Sequence, residues 1–93
     1  MDLIEKYLRE HSDGKDYPVC SRELAKAFCV PRTTIRRMIN IARSNGSPIC
    51  SNQKGYYITN DKEEIKSTIS SLRGRIAKME CAIIGLENYL HTI

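Results

Sequence analysis

Five arginines fall between positions 22 and 43 of this chain: Arg22, Arg32, Arg36, Arg37 and Arg43. A guanidinium is a planar fork of donors that fits a phosphate or the O6/N7 edge of guanine. Among them lie Ser21, Thr33 and Asn40, whose short polar groups suit phosphate oxygens or an adenine edge. Arg32, Arg36 and Asn40 are spaced by four, and so are Thr33 and Arg37, which on a helix makes two adjacent rows on one face. Further on, Asn52, Gln53 and Lys54 form a short polar cluster with one more cation. This is chemistry for a polyanion.

The distribution of charge supports that reading. The net charge is +4, but residues 1–20 carry three basic and five acidic groups, residues 21–60 seven and one, and residues 61–93 five and five. The excess is concentrated in the middle, where a local surplus of +6 has the footprint of an anion-binding surface.

Other chemistries lack their residues. Cys20, Cys29, Cys50 and Cys81 include no C-x-x-C pair, and His11 and His91 lie near opposite ends, so no metal site and no cofactor is expected. The thiols read as small hydrophobes in a reduced, cytoplasmic setting. There is no nucleophile motif, paired carboxylate or phosphate loop, which argues against an enzyme. The start "MDLIEKYLREH" is charged and no apolar run approaches the roughly 20 residues of a membrane span, so a soluble protein without a membrane partner is expected. Ninety-three residues allow one small domain with an appendage.

The elements that must position these groups can be placed by periodicity. Leu3, Ile4, Tyr7 and Leu8 predict a helix over 2–11, ended by "HSDGKD". "YPVC" at 17–20 reads as a minimal edge strand. "SRELAKAF" predicts a second helix with Ser21 as its N-cap and Leu24, Ala25 and Phe28 on one face. Pro31 suits the first residue of a third helix, where its missing N–H has no partner in any case. Ile35, Met38, Ile39 and Ala42 give that helix a buried stripe, and "SNG" at 44–46 stops it. Arg32, Thr33, Arg36, Arg37 and Asn40 are thereby left on the open face. "PIC" and "GYYI" around "SNQK" predict a β-hairpin.

With Ser21 as position one of a twenty-residue motif, Leu24, Phe28, Val30, Ile35 and Met38 fall on the apolar places of a helix-turn-helix and Ala25 on its small fifth place. The stretch from Ser21 to Tyr57 resembles the winged helix-turn-helix domain of biotin-repressor-type and DeoR-like regulators, in which a basic "V-x-R-x-T-I-x-R" helix leads to a "G-x-P-I" strand and a closing "G-Y". It departs from that pattern at Cys29, where the turn often has glycine because it uses φ > 0. The resemblance implies a mainly α domain with a small β-hairpin wing (α+β) over 1–60, its helix from Pro31 read as the recognition helix and 49–58 as the wing. It further implies double-stranded DNA as partner, with Arg32, Thr33 and Arg36 nearest base edges. Arg37, Arg43, Arg22 and Ser21 then belong with phosphates, and Lys54, Asn52 and Gln53 at the wing tip. Standing without an effector domain, the unit resembles the small regulators carried by phages and other mobile elements.

From Asp61 the pattern changes. Asp61 and Glu64 make a helix start, and Ile65, Ile69, Leu72, Ile76, Met79, Ile83, Leu86, Leu90 and Ile93 alternate four and three apart over four heptads. A helix over 61–93 would extend roughly 48 Å at about 1.5 Å per residue. Since a compact domain of this size has a radius of gyration of about 11–13 Å, much of that stripe must overhang. A coiled-coil-type dimerisation helix, pairing the chain with a second copy, is the expectation. The Ile69, Ile76 and Ile83 column suits a parallel pair, while Lys66 and Arg73 against Glu87 and Glu80 suit an antiparallel one. A DNA-binding homodimer acting in transcription regulation is the leading reading. The alternative is a protein-interaction module or inhibitor that uses the same surfaces on a host protein.

Overall fold

The computed structural model describes residues 2–93. It is mainly helical with one two-stranded sheet, in the order α1 (Leu3–His11), α2 (Ser21–Phe28), α3 (Arg32–Ser44), β1 (Ile49–Asn52), β2 (Gly55–Ile58) and α4 (Lys62–Leu90). The Asp2 carboxylate caps α1 by accepting from the Ile4 and Glu5 N–H groups at 2.9 and 3.4 Å. Ile4 and Leu8, one turn apart, are fully buried against Leu24, Ile35, Ile39, Ala42, Val19 and Ile49. Each such Ile or Leu contributes about 1.5–3 kcal/mol of burial, so this single cluster fixes how α1, α2 and α3 lie together.

Helix α2 begins one residue earlier than a Ser21 N-cap requires. Val19 exchanges both backbone hydrogen bonds with Tyr56 at 2.8 Å, which holds the chain extended through Cys20 (φ −74°, ψ 159°). Cys20 is therefore the N-cap, and Ser21 is the first helical residue. Its hydroxyl is free for another partner.

The turn from α2 to α3 is Cys29, Val30 and Pro31. Cys29 sits in the left-handed region (φ 55°, ψ 44°), and no other non-glycine residue among those described has φ > 0. Its N–H donates to Lys26 O at 3.4 Å and that of Val30 to Ala25 O at 3.1 Å, closing the end of α2. Cys29 thus takes the left-handed conformation for which glycine is favoured at this place. At α3 the shift is the opposite one, and Pro31, expected as the first helical residue, lies one position before it. With ψ at 156° it is the N-cap, its carbonyl accepting from Thr34 N and Ile35 N at 3.0 and 3.2 Å, so the first helical residue is Arg32.

The hairpin is antiparallel with Ile49 opposite Ile58 and Asn52 opposite Gly55, leaving Gln53 and Lys54 as a two-residue tip. At Gly55 the backbone of Val19 and Cys20 passes so close that a Cβ would lie 2.4 Å from Val19 O. Only glycine fits there. A second tie joins α1 to the turn after α3, where the Ser47 hydroxyl donates to the Glu5 carboxylate, which also accepts from Arg9 Nε at 3.0 Å.

Asp61 caps α4 by accepting from Glu63 N and Glu64 N at 2.8 and 3.1 Å. Glu64 does not reach back to the cap; it accepts from the Thr59 hydroxyl at 3.0 Å. The first turns of α4 rest on β1: Thr68 is buried, accepting from Ser51 N at 3.4 Å, and Ile65 and Leu72 are half-buried. From Arg73 onward every residue is exposed. The helix ends at Leu90 instead of running to 93, because Thr92 turns back to bond Tyr89 O through its N–H (2.9 Å) and hydroxyl (2.6 Å). This overhang raises the radius of gyration to 16.0 Å, against about 12 Å for a compact chain of this length. Among the described residues no helix is long and apolar enough to cross a membrane.

Candidate nucleic-acid interface

Burial of Ile35, Ile39 and Ala42 sets the rotation of α3. At 3.6 residues per turn, Thr33 and Arg37 then point most directly away from the core, while Arg32, Arg36, Asn40 and Arg43 share the flank nearer the hairpin. Arg32, Thr33, Arg36, Arg37 and Asn40 are all exposed.

That flank forms one wall of an open groove of about 860 Å³, bounded also by the start of α2, the hairpin and the middle of α4. The groove brings together Ser21, Arg32, Arg36, Asn40, Arg43, Asn52, Gln53 and Lys54. Arg22, Thr33 and Arg37 lie outside it, on the outer surfaces of α2 and α3. Its cations are Arg32, Arg36, Arg43, Lys54 and Arg75, and no acidic residue lines it. Among the described residues only Arg9–Glu5 and Lys66–Glu63 form ion pairs, so none of these cations is neutralised within the chain. A row of unpaired guanidinium groups in a concave surface concentrates positive potential there.

Three of these side chains have specific intramolecular partners. Arg32 Nε donates to Ser21 Oγ at 3.0 Å, so the hydroxyl freed by the early start of α2 positions the first arginine of α3. Arg43 is turned toward β1. Its Nε donates to Ile49 O at 2.7 Å, its Nη2 to Ser51 Oγ at 3.3 Å, and its guanidinium lies 5.9 Å from the Tyr56 ring centroid. Burial is the largest influence on Arg43 and draws its pKa below the ordinary arginine value, yet arginine keeps its charge in proteins. Arg43 is a brace between α3 and β1, its Nε and Nη2 already engaged within the chain. Asn52 is likewise committed: its Oδ1 accepts from Lys54 N and Gly55 N at 2.9 and 3.2 Å, and its Nδ2 donates to Lys15 O at 2.9 Å. It builds the hairpin tip, leaving Gln53 and Lys54 to present outward.

Arg75 is the residue the sequence pattern did not point to. On the heptad it stands beside the apolar stripe, and only the packing of Ile65, Thr68 and Leu72 on β1 directs α4 so that Arg75 faces α3. The stripe itself is divided by the same packing. Ile65 and Leu72 are partly covered by their own chain, Leu72, Ile76 and Met79 wall the groove, and Ile83, Leu86 and Leu90 stand clear. Ile93 lies beyond the helix end, which removes it from the stripe. Among the described residues no three of His, Cys, Asp and Glu gather as metal ligands. No protein-family model, curated protein or solved structure matches the chain in comparisons of sequence and structure.

Proposed function

We propose that the chain is a sequence-specific double-stranded DNA-binding protein of the winged helix-turn-helix type, acting as a homodimeric transcriptional regulator. In this reading α3 is the recognition helix, the hairpin is the wing and α4 is a coiled-coil-type dimerisation helix. The observation that carries it is the outer surface of α3: five polar side chains, three of them arginine and none in an ion pair, stand exposed opposite a buried Ile35–Ile39–Ala42 stripe. A helix of about 12 Å diameter fits the major groove, and Arg36 and Asn40 present the donor patterns that read guanine and adenine there. Gln53 and Lys54 then meet the flanking backbone, as does Arg75 from α4.

Selection from a random duplex library with the purified protein tests this. An enriched inverted repeat supports both DNA reading and the dimer; no enrichment and no duplex binding at low salt overturn the proposal. One observation favours a second reading. The groove's other wall is apolar, with Ile76 and Met79 exposed, a combination suited to an acidic amphipathic helix of another protein. Recovery of a stoichiometric protein partner whose binding survives loss of Arg36 and Arg37 would move the assignment there.

A further inference from the structure

The two halves of the α4 stripe have different shapes. Near its start, Ile65, Ile69 and Leu72 combine with Pro48, Ile49 and Cys50 to wall an apolar depression of about 220 Å³ between the helix and the body of the domain. Toward its end, Ile83, Leu86 and Leu90 form a bare ridge, between 53% and 72% exposed. A ridge and a hollow on one unbroken helix cannot meet each other, because Ile65 and Leu90 stand about 38 Å apart at about 1.5 Å per residue.

We infer that two copies of the chain pair their α4 helices antiparallel, the ridge of each filling the hollow of the other. This rests on the proposal that α4 is a homodimer helix, and it supplies the direction and surface of the pairing. One register places Ile65 opposite the partner's Leu90, Ile69 opposite the partner's Leu86, Leu72 opposite the partner's Ile83 and Ile76 opposite the partner's Met79. Two-fold symmetry repeats every layer, so the whole stripe from 65 to 90 is covered once, in the isologous manner of a closed dimer.

Charge agrees with the same register. Lys66 and Arg73 flank the hollow end, whereas residues 79–90 contain Glu80 and Glu87 and no lysine or arginine. Antiparallel overlap sets Lys66 beside the partner's Glu87 and Arg73 beside the partner's Glu80, each twice. Parallel overlap forms neither of these pairs and leaves both hollows open to water. The acidic end of each helix also comes to lie beside a basic body, with Arg43 at the edge of the hollow.

Spin labels test the direction. Tyr89 is exposed on the overhang, so Tyr89→Cys, in a chain whose exposed Cys20, Cys29 and Cys81 are replaced by serine, carries one label per copy without disturbing the core. In the proposed register residue 89 lies at the level of 66, so the two labels are about 34 Å apart along the axis at about 1.5 Å per residue. A dimer with labels side by side overturns the antiparallel pairing while keeping the dimer; a monomer in sedimentation equilibrium overturns both. A charge exchange gives an independent readout: Lys66→Glu should weaken dimerisation several-fold and Glu87→Lys in the same chain should restore it. Failure to restore overturns this register.

Discussion

Ser21 Oγ accepts a hydrogen bond from Arg32 Nε at 3.0 Å, joining the first turn of α2 to the first turn of α3. An arginine side chain carries roughly 2 kcal/mol of rotamer entropy, part of which this contact removes before any ligand arrives. On the proposed function, Ser21→Ala should therefore weaken duplex binding by about 0.5–1 kcal/mol, near the worth of one net hydrogen bond. Arg36→Ala should cost about 1–3 kcal/mol and flatten discrimination at one base pair, whereas Arg37→Ala should lower the salt slope by about one without changing sequence preference. Fluorescence anisotropy with matched and mismatched duplexes over a salt series separates the three.

Arg43 should matter to folding more than to binding. Its loss leaves Ile49 O without a partner and removes packing on Tyr56, so Arg43→Ala should cost about 1.5–3 kcal/mol in urea unfolding. Arg43→Lys should not restore it, because an ammonium cannot reach Ile49 O and Ser51 Oγ in the same geometry. A change under about 0.5 kcal/mol for either variant would show that the brace contributes nothing.

Cys29→Gly should stabilise the protein. Relief of the left-handed backbone is worth about 1–2 kcal/mol, offset by about 0.5–1 kcal/mol of extra chain entropy in the unfolded state, a net gain centred on about 0.7 kcal/mol and at most about 1.5 kcal/mol. Thermal unfolding monitored by circular dichroism should show a raised midpoint. An unchanged or lowered midpoint contradicts the strain at φ 55°.

Gly55→Ala should act in the opposite direction and more strongly. A Cβ 2.4 Å from Val19 O forces apart the backbone bridge between Val19 and Tyr56, and overpacking of this kind costs about 1–3 kcal/mol beyond the positive-φ penalty. Denaturant unfolding should lose about 2–4 kcal/mol, with the amides of Val19 and Tyr56 losing hydrogen-exchange protection first.

The Glu5 carboxylate is held below its ordinary value near 4.5, chiefly by the hydrogen bond from Ser47 and then by that from Arg9. A carboxyl whose pKa is lower in the folded state contributes stability that is complete above its unfolded pKa and is lost as pH falls through that value to the folded one. Stability should therefore decline below pH of about 4.5, and Glu5→Gln should remove part of that decline while lowering stability at neutral pH. Equal acid sensitivity of the two proteins would rule out Glu5 as a contributor.

The elements themselves were legible in the sequence because each rests on a local pattern. Ile35, Ile39 and Ala42 mark the inner side of α3, "SNG" its end and "SNQKG" a tight hairpin, and all three follow from periodicity or turn chemistry within a few residues. Exact starts were less legible. Ser21 reads as a cap until Val19 is seen paired with Tyr56, a partner 37 positions away that keeps the chain extended through Cys20.

The cations divide in the same way. The sequence by itself determined that Arg32, Thr33, Arg36, Arg37 and Asn40 share the open face of one helix, because helical geometry leaves no other side for them once Ile35 and Ile39 are buried. Only the tertiary structure decided which polar groups stay available. Arg43 and Asn52 turn inward because a β1 carbonyl and the Lys15 carbonyl lie within reach. Arg75 joins the groove because Ile65 and Leu72 dock α4 on β1, and a heptad records which side of a helix is apolar but not which neighbour that side will meet.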